Sequence, residues 1–132
     1  MLGKLGLAFM LASGIGLLTF LLLPDRSTPE PPAPHQFFGS VTVGEELAQD
    51  DLVIEAKEAP TGGATFAKTA TLDGKYGYLS LFLLPSDDPA TTLVEGFEEG
   101  YTIYFFVDGI EVGTSIFQPG ESTEMDLAVT QN

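Results

Sequence analysis

No cysteine occurs anywhere in the chain, which excludes a disulfide framework, a thiol nucleophile and a cysteine-ligated zinc centre. A small domain must then rely on packing alone, and 10 Phe and 4 Tyr supply the bulk for it, since each aromatic side chain buries roughly 150–250 Å². Cations are scarce as well. Five Lys and Arg stand against 19 Asp and Glu, a net charge of −14, and beyond Lys75 there are ten acidic residues with no Lys or Arg at all. This balance excludes a nucleic-acid partner, because a phosphate backbone is bound by clustered cations that release counterions. Anionic lipid is repelled for the same reason. The surplus charge keeps an exposed domain soluble and monodisperse, and a high-salt habitat would favour it. Histidine is reduced to His35, so neither a serine triad nor a multi-histidine metal site is available. It falls in a proline-rich stretch and is expected to be a linker residue.

One long apolar run is present, and only one. Residues 5–23 are uncharged and mostly apolar, and a helix needs about 20 such residues to cross a hydrocarbon core of ~30 Å. No small-x-small cleavage site follows, so an uncleaved transmembrane signal anchor over residues 1–23 is expected, with secretion after signal cleavage as the alternative. Lys4 and the amino terminus favour a cytoplasmic N-terminus, partly offset by Arg26. Ala8, Ala12 and Gly16 recur every fourth position, a stripe along which a second helix could pair closely. Residues 24–36 carry Pro24, Pro29, Pro31, Pro32 and Pro34. They read as a linker of polyproline character, and at ~3.1 Å per residue their reach is roughly 40 Å.

From residue 37 to residue 132 the pattern has period two, with turn signals between the runs. Strands are expected over 37–43, 52–57, 65–72, 76–84, 101–107, 110–117 and 123–129. Asp73-Gly74 and Asp108-Gly109 supply the positive φ angles of tight hairpins, and Pro119-Gly120 suits a type II turn. In 76–84 both faces are apolar, so that strand is expected to be central. The fold expected is all-β: a seven-stranded antiparallel Greek-key sandwich, immunoglobulin-like or transthyretin-like, behind one N-terminal transmembrane helix.

Phe38-Gly39-Ser40-Val41-Thr42-Val43-Gly44, Val53-Ile54-Glu55-Ala56 and Thr71-Leu72-Asp73-Gly74-Lys75-Tyr76-Gly77-Tyr78-Leu79 resemble the carboxypeptidase regulatory-like, transthyretin-like β-sandwich modules. The resemblance is best over 37–84. It implies a stalk, spacer or adhesive unit of an exported protein, accessory rather than catalytic, and it carries no binding residues onto this chain.

Acid pairs occur at Glu45-Glu46, Asp50-Asp51, Asp87-Asp88 and Glu98-Glu99. A glycosidase needs two carboxyls at a set separation in a cleft, whereas these fall in loops that read as solvated. Calcium is the better carboxylate chemistry, with Asp50, Asp51, Asp87 and Asp88 as candidate ligands, although no EF-hand spacing supports them. No cofactor is expected. A carbohydrate-binding module would need exposed rings, for which Tyr76, Tyr78 and Tyr104 are the candidates. The long stretch 85–100 is expected to cross between sheets, with Leu93 and Phe97 capping the core. The resulting expectation is a non-catalytic module outside the cell membrane, for adhesion, assembly or accessory-subunit contacts with a protein partner. A carbohydrate- or calcium-binding module is the alternative, and a secreted enzyme ranks below it.

Overall fold

The structure, a computed structural model, describes residues 32–131. The expected span 5–23, its small-residue stripe and the linker as far as residue 31 lie outside the described residues. Among the described residues there is no helix, and hence none long and apolar enough to cross a membrane. Ten strands form two sheets, so the all-β expectation holds.

The first sheet is organised around β1 (His35–Val43). Along one side it pairs antiparallel with β6 (Phe82–Leu84), β5 (Lys75–Tyr76) and β2 (Glu46–Leu47). Its other side pairs parallel with β9 (Ser122–Glu124) and β10 (Leu127–Val129). The second sheet is antiparallel throughout, in the order β4 (Thr65–Ala70), β3 (Val53–Lys57), β7 (Thr102–Val107), β8 (Ile110–Ile116). Both Asp-Gly pairs make the expected turns. Asp108 and Gly109 have φ of 47° and 85° between the paired Val107 and Ile110, and Asp73 and Gly74 have φ of 55° and 71° between Leu72 and Lys75. The two turns differ in consequence. After Asp108-Gly109 the chain continues in the same sheet, whereas after Asp73-Gly74 it leaves β4 and joins β1 across the sandwich.

The period-two faces pack as the alternation predicts. Phe37 and Val41 of β1 meet Ile54 and Ala56 of β3 and Ile103, Phe105 and Val107 of β7, all fully or almost fully buried. Across the two sheets the Phe37 and Phe105 rings meet edge to face at 5.0 Å. Burial of side chains of this size stabilises the fold by roughly 1.5–3 kcal/mol each. The stretch 85–100 crosses from β6 to β7 as expected, and it brings Phe97 into the core, stacked on Phe117 at 5.4 Å and edge-on to Phe66 at 5.0 Å. Leu93 does not join it. That side chain is 71 % exposed, because the loop is closed beneath it by bonds from the Asp87 and Phe97 amides to the Phe97 and Pro85 carbonyls.

Three other expectations need correction. Residues 76–84 are not one central strand: β5 and β6 are separated where residues 77–81 oppose the single residue Phe38 of β1. Gly77 starts this bulge with φ +84°, and a Cβ there would lie 2.3 Å from the Phe37 carbonyl oxygen. Burial is one-sided instead of covering both faces: Tyr76, Phe82 and Leu84 are inside, while Leu79, Leu81 and Leu83 are exposed. The final strand likewise divides into β9 and β10, both parallel to β1, because the Asp126 carboxylate rather than a backbone carbonyl accepts the Ser40 amide (2.9 Å). Finally, the folded domain begins before residue 37, since His35 and Gln36 already belong to β1.

The one-sided burial gives a direct test. Leu84→Ala should cost about 2–5 kcal/mol in urea unfolding, whereas Leu81→Ser should stay within ~0.5 kcal/mol. Equal costs would favour the uninterrupted strand.

Candidate functional site

His35 is placed where the linker reading did not put it. The period-two pattern of β1 runs back through Phe37 to His35, and the imidazole is buried against the Phe37 ring at 4.1 Å and the Phe117 ring at 5.8 Å. Its Nδ1 accepts the Gln118 amide (3.0 Å), which leaves Nε2 as the protonated nitrogen donating to the Thr123 hydroxyl (2.7 Å). Both ring nitrogens are used by the neutral tautomer. Burial lowers the imidazole pKa below its usual 6.5, and only Glu121 opposes the shift. In this tautomer the ring ties Gln118 and Thr123 to the start of β1, and because Nε2 donates to the Thr123 hydroxyl it is not placed to take that hydroxyl's proton. The signal that would have found it is the alternation His35, Phe37, Gly39.

The candidate tyrosines do not form a platform. Tyr76 is buried, and its hydroxyl donates to the Met125 carbonyl (2.7 Å). Burial first, and then Asp126 and Tyr78, push its pKa far above the usual 10. This ring is therefore core. Tyr78 is half exposed and meets Phe38 edge-on at 5.4 Å, while Tyr104 lies on the outward side of the other sheet, opposite Thr114 and Lys57. The two remaining rings lie on different elements, Tyr78 in the bulge between β5 and β6 and Tyr104 on β7.

The four candidate calcium ligands are likewise kept apart. Asp50 and Asp51 precede β3 and sit beside the Asp73-Gly74 turn, where Asp50 accepts the Asp73 amide (2.9 Å). Asp87 and Asp88 lie in the crossing loop, where Asp87 accepts the Glu95 amide (2.8 Å) and Asp88 the Ala90 amide (2.9 Å). Asp87 acts on Tyr101 together with Glu58, which follows β3, whereas Asp50 and Asp51 precede that strand. Among the described residues no three His, Asp or Glu side chains come together as a metal would require. The crossing-loop end is nonetheless acidic: Tyr101 donates to Glu98 (3.2 Å), and that bond and charge, followed by slight desolvation, Asp87 and Glu58, raise its pKa.

Open depressions on the surface of the described residues include the following two. One, of about 680 Å³, lies at the end of the sandwich near Glu45, Glu46 and Gln131. The other, of about 800 Å³, is a cleft between β4 and the bulge after β5. Residue-by-residue reading missed the second, since its walls are formed by Lys68, Thr69 and Ala70 of β4 and by Tyr78 and Leu79 of the bulge between β5 and β6. No protein-family model, curated protein or solved structure matches the chain.

Two measurements follow from this geometry. As pH falls, the unfolded chain takes up a proton on His35 before the folded chain does, so the stability this residue contributes is fully present above 6.5 and declines as pH drops through the lower folded value. The resonance of the single imidazole should titrate below 6.5 in the folded protein, and His35→Leu should remove the loss of melting temperature attributable to it between pH ~7.5 and ~5.5. An imidazole titrating at or above 6.5 would contradict the buried neutral ring. For the carboxylates, rising monovalent salt should raise the melting temperature by screening like charges, while calcium and magnesium at matched ionic strength should agree within about 1 °C. A shift of several degrees for calcium alone would establish a specific site by mass action.

Proposed function

We propose that this protein is a non-catalytic, membrane-anchored module. It presents one β-sandwich outside the cell membrane for adhesion, assembly or accessory-subunit interaction. The observation that carries the reading is the order of three segments: an apolar run of spanning length at 5–23, a proline-rich stretch at 24–36, and a small domain. The finer fold reading, a Greek-key sandwich of the carboxypeptidase regulatory-like kind, belongs to the same proposal and rests on the sequence resemblance. The acidic, cysteine-free composition suits an exposed position in which solubility comes from charge and stability from the core. The scattered carboxylates support a structural use of acids as loop acceptors, with Asp50, Asp87 and Asp88 each holding a backbone amide.

Fractionation and pull-down test the two halves of the proposal. Intact mass of the membrane fraction should correspond to a chain that retains residues 5–23, and the detergent-solubilised full-length chain should bring down a stoichiometric protein partner. A mature terminus between residues 13 and 36 would make the protein secreted, and recovery without any partner would remove the accessory role.

A further inference from the structure

The turn Gln118–Glu121 lies over the first residues of the domain, held by bonds that differ in kind. Two join backbone to backbone: the Gly120 amide donates to the Pro34 carbonyl (3.0 Å), and the Gln36 amide donates to the Glu121 carbonyl (2.8 Å). The bond to His35 depends on a proton. A backbone amide can only donate, so the Gln118 N–H requires a lone pair on Nδ1 (3.0 Å). An imidazolium has none, because both of its nitrogens carry hydrogen. Protonation therefore sets N–H against N–H at the Gln118 contact, and turning the ring over brings no relief. The bond from Nε2–H to the Thr123 hydroxyl survives protonation, so the conflict falls on the turn and spares β9.

Little around the ring would compensate a charge. His35 is buried between the Phe37 and Phe117 rings, out of reach of the water that would solvate an imidazolium. Glu121 in the turn is the acid that acts on it. Glu124 of β9 alternates with Thr123 and faces the other way. From β6 come Phe82, Leu83 and Leu84, none of them ionisable, with Leu84 paired directly opposite His35. Asp87 of the crossing loop acts on Tyr101.

Relief is available close by. Gln118, Gly120 and Glu121 are exposed, whereas Phe37, Phe97, Phe105 and Phe117 behind them are buried. A segment whose backbone bonds lie at the surface opens at a small fraction of the cost of global unfolding. His35 is the first residue of β1, so the ring can reach water without parting the two sheets.

We propose that His35 is a proton-operated latch: when the ring takes up a proton, the turn Gln118–Glu121 and residues 33–36 part from one another, while β9 and the second sheet stay in place. The latch couples the acidity of the surroundings to the point where the chain enters the sandwich. It goes beyond the membrane reading and rests on none of it. A freed imidazole binds its proton near 6.5 and the closed one only at lower pH. Opening therefore increases as pH falls below 6.5 and levels off once pH has passed the closed value.

Hydrogen exchange of the full-length chain in neutral detergent tests this, with protection factors corrected for the intrinsic pH dependence of exchange. Between pH ~7.5 and ~5.5 the protection of the Gln118, Gly120 and Gln36 amides should fall about fivefold to tenfold, and that of the β3 and β7 amides should not change. His35→Gln keeps an acceptor for the Gln118 amide but does not titrate, and it should abolish the fall. Glu121→Gln is an exposed change that removes the charge favouring imidazolium. It should move the imidazole midpoint, read from its own proton resonances, to lower pH, and the loss of protection should move with it. Unchanged protection at the three amides, an equal loss across both sheets, or the same loss in His35→Gln overturns the proposal. Should His35→Gln fail to fold, a loss of protection that does not follow the imidazole midpoint in Glu121→Gln overturns it as well.

Discussion

The backbone of β1 is the constraint on which the first sheet depends. A strand whose alternate side chains are buried leaves no water for its N–H and C=O groups, and each must find a partner in the protein. In this molecule five separate segments supply them, three antiparallel on one side and two parallel on the other. None of the five exceeds three residues. The sheet therefore has one continuous member and is otherwise assembled from short pieces returned by long connections. Side chains complete the ladder where the pieces end. Asp126 takes the Ser40 amide, the Tyr76 hydroxyl takes the Met125 carbonyl, and His35 joins Thr123 to the Gln118 amide. Among the described residues no buried side-chain nitrogen or oxygen is left without a partner.

This arrangement explains which parts of the fold were legible in the sequence. The second sheet was readable because its strands are joined by local turns or keep an unbroken period of two: Ile54 and Ala56 point inward, as do Ile103, Phe105 and Val107. Asp108-Gly109 specifies its hairpin through two positive φ angles that those residues tolerate. The first sheet was less readable because its breaks arise from contacts with distant chain. An alternating run such as 76–84 looks like one strand, and nothing local shows that Gly77 must bow out over Phe38. Gly39 carries the same lesson, since a Cβ there would lie 2.4 Å from the Met125 carbonyl oxygen, a neighbour far along the chain. His35 was misread because proline content drew the domain boundary two residues too late.

The acids show why composition alone says little about a site here. Pairs such as Asp50-Asp51 and Asp87-Asp88 invite a reading as cation ligands, yet each pair has a carboxylate that holds a backbone amide: Asp50 caps the Asp73 amide of the neighbouring turn, and Asp87 closes the crossing loop onto Glu95. A carboxylate that accepts a backbone amide satisfies a group that packing would otherwise strand, and it needs no ligand to account for its position. Asp108 does the same for Val53, and Asp126 for Ser40. The few cations among the described residues are placed in the same local way: Lys57 lies 4.8 Å over the Phe106 ring, Lys75 lies 5.8 Å over the Tyr78 ring, and Lys68 stands opposite Glu55 in the ladder between β3 and β4.

The start of the domain also changes what the proline-rich stretch can do. Pro34 offers its carbonyl to the Gly120 amide (3.0 Å), and Ala33 offers its carbonyl to the Ser86 hydroxyl (2.8 Å). Residues 33–36 are thus bound to the sandwich rather than spacing it. The linker expected over 24–36 thereby loses its last four positions to the folded domain. The attachment is made on both flanks of β1, through the crossing loop at Ser86 and the turn at Gly120. Any pull applied to the chain ahead of residue 33 would consequently enter the fold at β1, the one continuous strand of the first sheet, whose antiparallel bonds lie across the direction of pull.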